Sequence, residues 1–131
     1  MRTTRMNSNR EIDPAELESR AFGFGVGMLG LAQHLKKDLP EPVTNALAEH
    51  GANVGAHVLE AHAVSANQIH SYSAARQSVR QATYWLRLVH AADPTASPRL
   101  DPLIKDAADL AEALKLASAR ARQRLDASKF R

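Results

Sequence analysis

Apolar residues recur along this chain at alternating intervals of three and four, the spacing that puts them on one side of a helix. The pattern is clearest at Tyr72, Ala75, Val79, Ala82, Leu86 and Val89, which form the seam of a helix in a bundle. Leu47, Gly51, Val54, Val58 and Ala61 repeat it earlier, and Leu103, Ala107, Leu110, Leu114, Ala117 and Ala121 repeat it later. No period-two alternation is long enough to compete as a strand. Punctuation sets the limits: Asp13-Pro14 and Asp101-Pro102 each read as a cap followed by a proline at the first helical position, Pro40 and Pro42 separate the first two helices, and Ser65 offers a cap for the third. These signals predict helices over 14–38, 42–64, 66–92 and 101–126, with residues 93–98 as the one clear loop. The predicted domain is 13–126, between a mobile basic arm over 1–12 and a basic tail over 127–131. Each helix is about 35–39 Å long at 1.5 Å per residue. Short connections make consecutive helices antiparallel, so the predicted fold is an all-α, up-down-up-down four-helix bundle.

The first helix departs from this pattern. Gly23, Gly25, Gly27 and Gly30 all fall inside it, and each interior glycine costs about 1 kcal/mol relative to alanine. Gly23, Gly27 and Gly30 are spaced four and three apart, so they leave one face where another helix can come close. Phe22, Val26, Leu29 and their apolar neighbours surround the axis, and a helix apolar on nearly all sides is buried on nearly all sides. A helix of a four-helix monomer keeps a solvent face, so Phe22, Gly23, Gly27 and Gly30 are candidates for a subunit interface. The alternative is a locally weak, frayed helix. Tyr84, outside the seam positions of helix 3, is a further interface candidate, because amphipathic aromatics favour such places; Trp85 is expected to border the core.

The 131 residues suit one domain with one core. Aromatics are only 5% of them, so Ala, Leu and Val must build that core, a palette suited to close helix packing. The chain has no cysteine, which rules out disulfides and thiolate chemistry and agrees with a cytoplasmic protein. The apolar run Ala21–Ala32 is short of the roughly 20 residues a membrane span needs, and acids precede it; neither a membrane anchor nor a signal peptide is expected. The formal net charge of +3 hides an asymmetry. Both ends are basic while the middle is net negative, yet no acid occurs between Glu60 and Asp93, where Arg76, Arg80 and Arg87 lie.

Two segments carry a family resemblance: Gly51-Ala52-Asn53-Val54-Gly55-Ala56-His57-Val58-Leu59-Glu60-Ala61, and Thr83-Tyr84-Trp85-Leu86-Arg87-Leu88-Val89. They resemble the four-helix bundle proteins encoded by intervening sequences of ribosomal RNA genes, a family related to the accessory variability determinants of diversity-generating retroelements. Gly55, Ala56, Glu60, Ala61, Ser65, Tyr84, Trp85 and Leu86 match that pattern in order and separation, and the likeness spans about residues 18–125. His57 stands where the family has Asn, Glu49 replaces a basic residue, and Gln77, Ser78 and Gln81 replace charged positions. The resemblance implies a bacterial protein whose protomers assemble into a ring, usually a homopentamer, with no catalytic activity and no cofactor. In the retroelement branch it implies binding to nucleic acid and to a reverse transcriptase.

Arg76, Arg80 and Arg87 lie within about 40° of one another around a helix. This ridge either contacts phosphates, through bidentate guanidinium pairing, or forms salt bridges to Asp106, Asp109 and Glu112 and is otherwise solvated. Arg120, Arg122, Arg124, Lys129 and Arg131 exceed what one helix dipole can use, so they are candidates for gripping an acidic partner. Among these C-terminal basic residues Phe130 is the only aromatic interleaved, which gives base stacking there little support. Glu60 follows the seam closely; where it is partly buried it needs a partner, which Ser65, His62, Arg76 or an arginine of a neighbouring subunit could supply. His50, His57 and Glu60 invite a metal, but a di-metal bundle needs repeated Glu-x-x-His, and the chain has none; no metal site is expected. No nucleophile is coupled to a base. The expected function is a non-enzymatic oligomeric scaffold binding RNA or DNA, the alternative being a structural or protein-interaction oligomer without nucleic-acid affinity.

Overall fold

A computed structural model describes residues 12–129; the basic arm up to residue 11 and Arg131 lie outside the described residues. Among these residues there are four long helices and no strand: α1 (Pro14–Leu35), α2 (Glu41–Ala63), α3 (Gln68–Ala92) and α4 (Ser97–Ser128). Each helix packs on the next, and α4 closes on α1. Every seam residue predicted for the second, third and fourth helices is buried, and Leu17, Phe24, Met28, Leu31 and Leu35 complete the core from α1. None of the helices is long and apolar enough to cross a membrane among the described residues.

The ends of the helices follow hydrogen bonding more closely than residue type. Pro14 opens α1, yet the Asp13 side chain makes no cap bond; its carbonyl accepts from Leu17 N at 2.9 Å instead. α1 stops at Leu35, three residues before the predicted end, in a turn closed by Asp38 N and Leu39 N donating to Leu35 O at 3.0 Å. Ser65–Asn67 form a 3₁₀ turn rather than the first turn of α3. Gln68 Nε2 then reaches back to Ala61 O at 3.3 Å, satisfying a carbonyl that the end of α2 leaves unpaired.

The last connection is shorter than predicted. Two Asp-Pro pairs offer the same start signal, and the earlier one is used: Asp93 Oδ1 accepts from Thr95 N at 3.2 Å, and a 3₁₀ turn over Pro94–Ala96 runs directly into α4 at Ser97. Pro102 is therefore inside the helix. Its missing N–H forgoes the bond to the Pro98 carbonyl in the second turn of the helix. At the other end α4 continues through Ser128, past the predicted limit of 126.

The glycines of α1 and α2 are where helices meet closely. A Cβ on Gly51 would stand 2.4 Å from Met28 Cβ, one on Gly25 would stand 3.4 Å from Gly51 O, and one on Gly27 would stand 2.7 Å from Leu103 Cδ2. The close approach at Gly27 is thus to α4 of the same protomer. Gly23 and Gly30 face open space, with nothing within 4 Å of an added Cβ. A solvent face does remain on α1: Phe22 is 73% exposed, and Val26 and Leu29 are half exposed or more.

Candidate nucleic-acid interface

The arginines of α3 lie along the groove between α3 and α4. Arg80 and Arg87 stand over an apolar floor of Val79, Ile104, Ala107, Ala108 and Ala111, in a hollow of about 770 Å³. Farther along the same helix pair a second hollow of about 730 Å³ is lined by Ile69, Ser73, Arg122, Arg124 and Leu125. Helical periodicity joins the two. Ile69, Ser73, Arg76, Arg80, Thr83 and Arg87 fall within about 80° of arc on α3, as do Ile104, Ala108, Ala111, Lys115, Ser118 and Arg122 on α4. The result is one face about 27 Å long, with Arg76, Arg80 and Arg87 on one wall and Lys115 and Arg122 on the other.

Small side chains on α4 make this groove, since Ala107, Ala108 and Ala111 let the long guanidinium arms lie across it instead of being pushed aside. The groove carries no internal neutralisation: α3 contains no acid, and among the described residues no ion pair joins Arg76, Arg80 or Arg87 to any acid of α4. Asp106 and Asp109 open instead into the groove between α1 and α4, beside Arg20 and Gly23, and Asp109 pairs with Lys105 at 3.1 Å. At the groove's end His90 Nε2 lies 3.4 Å from Asp101 and 3.0 Å from Ser97 Oγ.

The C-terminal cations divide among several faces. Arg122 belongs to the groove, Arg124 donates to Gln68 Oε1 at 3.0 Å and ties α4 to the start of α3, and Lys129 is exposed at the end of α4. Arg120 projects from another side of α4, about 160° from Arg122. Lys115 is the residue that spacing alone did not single out. Its four- and seven-residue intervals from Ala111 and Ala108 were visible, but the position of α3 beside that stripe was not.

The other candidates lie elsewhere. Phe22, with Val26, Leu29 and Leu59, borders an apolar groove between α1 and α2 of about 710 Å³, floored by Gly25, Ala52, Gly55 and Ala56; among the described residues Glu18 is the only charged one lining it. Tyr84 is far from this groove, 61% exposed on α3, with its ring edge-on to Trp85 at 5.7 Å. Trp85 is half-buried against the core, as expected. Glu60 is exposed and has no ion-pair partner among the described residues, so it needs no buried partner; its position falls one residue short of the buried stripe that ends in Ala61. The polar contact that joins these helices is made by the half-buried His62, with Nδ1 2.5 Å from Glu18 Oε2 and Nε2 2.7 Å from Tyr72 OH. It pins α1, α2 and α3 together. Among the described residues no three His, Asp or Glu side chains are grouped to hold a metal.

No protein-family model matches the chain, and no curated protein sequence does. The fold is similar to the 1.70 Å crystal structure of a protein of unknown function from the S23 ribosomal protein family of Bacteroides thetaiotaomicron. The TM-score is 0.68 at 18% sequence identity, over 75% of this chain and 94% of that one. At that identity the likeness is one of fold: this chain is built as the same kind of helical bundle.

Proposed function

We propose that this protein is a non-enzymatic oligomeric scaffold that binds nucleic acid along the α3–α4 groove. The observation that carries the reading is the run of Arg76, Arg80, Arg87, Lys115 and Arg122 along one face whose arginines on α3 lack any acidic partner. A row of unneutralised cations supplies phosphate affinity without base contacts. The ribosomal family name of the Bacteroides protein is in keeping with RNA as the ligand.

The helices run up-down-up-down in this reading, supported by the pairing of Glu18 near the start of α1 with His62 near the end of α2. Copies associate through the apolar groove beside Phe22, which one protomer leaves open. The family resemblance suggests a ring of five and a reverse transcriptase as a protein partner. That same groove also favours a second reading, a protein-interaction oligomer with no nucleic-acid affinity.

Fluorescence anisotropy of a labelled duplex and a labelled structured RNA across a salt series separates the two readings. Neutralising three to five phosphates gives a log affinity against log salt slope of about −2.7 to −4.5 on duplex DNA. Absence of binding at low salt refutes the first reading and leaves the second.

A further inference from the structure

A separate cleft lies around the side of α3 from the basic groove. Gln77, Gln81, Tyr84 and Trp85 line it from α3, His50 lines it from α2, and its volume is about 380 Å³, ample for one nucleobase. Arg80 lines both this cleft and the basic groove. Helical spacing along α3 brings Arg80 beside the two aromatic rings, and the fold adds His50 from α2.

Each wall offers something a base needs. Tyr84 is largely exposed, and its ring is held edge-on to Trp85 with an interplanar angle of 81°; Trp85 is anchored against the core. A ring fixed in this way stacks on a base with little loss of side-chain freedom. Gln77 and Gln81 are one turn apart, and each carries a carbonyl acceptor and an amide donor, the groups that pair with the edge of an unstacked base. Neither amide has a partner among the described residues, so neither has to be released from an internal bond. A base inside a duplex has both faces covered and its pairing edge occupied, so it presents nothing to this cleft.

Resting on the nucleic-acid reading above, we propose that the cleft between α2 and α3 takes one unpaired nucleotide of a strand whose backbone lies in the α3–α4 groove. Tyr84 stacks on the base, Gln77 and Gln81 meet its edge, and Arg80 holds the adjoining phosphate. In this account Tyr84 serves a base rather than a subunit contact. The preferred ligand is accordingly single-stranded or looped RNA or DNA rather than a perfect duplex.

The chain has one tryptophan, Trp85, so its fluorescence reports on the cleft directly. The probes are oligouridylate, oligothymidylate, a duplex of equal length, and an abasic deoxyribose-phosphate oligomer of equal length. Both single strands are expected to quench Trp85. Tyr84→Ala is expected to weaken them by about 5- to 150-fold, the worth of one stacked base, while Tyr84→Phe retains affinity. Against the abasic oligomer and the duplex, Tyr84→Ala should change nothing. The two nucleic acids differ only at the 2′-hydroxyl and the thymine methyl, so similar affinities mark a site that reads the base; a strong preference for RNA adds a sugar contact. Equal weakening of every probe, unchanged single-strand affinity, or a changed assembly mass on Tyr84→Ala overturns the proposal. Duplex binding with the expected salt slope but no quenching overturns this inference alone, whereas no binding of any probe at low salt overturns the scaffold reading as well.

Discussion

Replacing Gly51 by alanine is the sharpest test of how α1 and α2 meet. The new methyl carbon would lie 2.4 Å from Met28 Cβ and 2.6 Å from Met28 Cγ, against an ordinary carbon–carbon separation of about 3.5–4.0 Å. Both atoms are at the root of the Met28 side chain, which is fully buried, so a rotamer change cannot move Cβ away. The helices must separate by more than about 1 Å locally. Overpacking of this kind costs about 1–3 kcal/mol, and contact with a side-chain root puts it near the top of that range. Alanine returns about 1 kcal/mol of helix propensity, leaving a net loss of about 2 kcal/mol, or about 8 °C in Tm for a domain of this size. Gly23→Ala provides the internal control. Its added Cβ meets nothing, so the same propensity gain should raise Tm by about 4 °C. Thermal unfolding followed by circular dichroism, with all variants at one protein concentration, reads both. A Gly51→Ala variant that melts at or above the wild type would refute the packing argument. A Gly23→Ala variant that melts lower would mean a further helix occupies that open face.

Three other substitutions test separate parts of the structure. His62→Ala removes the contact that links Glu18 and the Tyr72 hydroxyl, and urea denaturation should show a loss of about 0.5–1.5 kcal/mol; a change within error would mean the contact contributes nothing net. Lys115→Ala should make the salt slope of duplex binding shallower by about 0.9, while Lys105→Ala, which removes the partner of Asp109 away from the groove, should leave the slope unchanged. Phe22→Ser with Val26→Ser alters residues that one protomer leaves exposed, so sedimentation velocity should show smaller assemblies with Tm within a few degrees of the wild type; an unchanged mass would remove the α1–α2 groove as the assembly surface.

The seam positions of α2, α3 and α4 were legible because period 3.6 depends only on the chain itself: Val79, Leu86 and Leu110 are buried wherever the neighbouring helices lie. Helix ends were less legible, since two Asp-Pro pairs carry the same signal and only the bond from Thr95 N to Asp93 Oδ1 decides between them. The glycines illustrate a deeper limit. Gly23, Gly27 and Gly30 share one spacing, yet Gly27 meets Leu103 while Gly23 and Gly30 meet nothing within 4 Å, and that difference depends on where a second helix crosses. The arginine ridge has the same character. Periodicity placed Arg76, Arg80 and Arg87 on one side of α3, but whether acids or alanines faced them depended on the rotation of α4, which turns Asp106 and Asp109 toward α1. The cleft around Tyr84 needed two helices at once, because His50 comes from α2.

The central claim is that the α3 arginines contact phosphates, and the most direct measurement is the salt slope of duplex binding for the wild type beside the Arg76→Ala, Arg80→Ala, Arg87→Ala triple variant. All three side chains are at least partly exposed, so the variant should fold and keep its assembly mass. Removing three phosphate contacts should make the slope shallower by about 2.7, with affinity falling most at low salt. A triple variant that binds with the wild-type slope would contradict the account and place nucleic-acid binding, if any, on another face of the bundle.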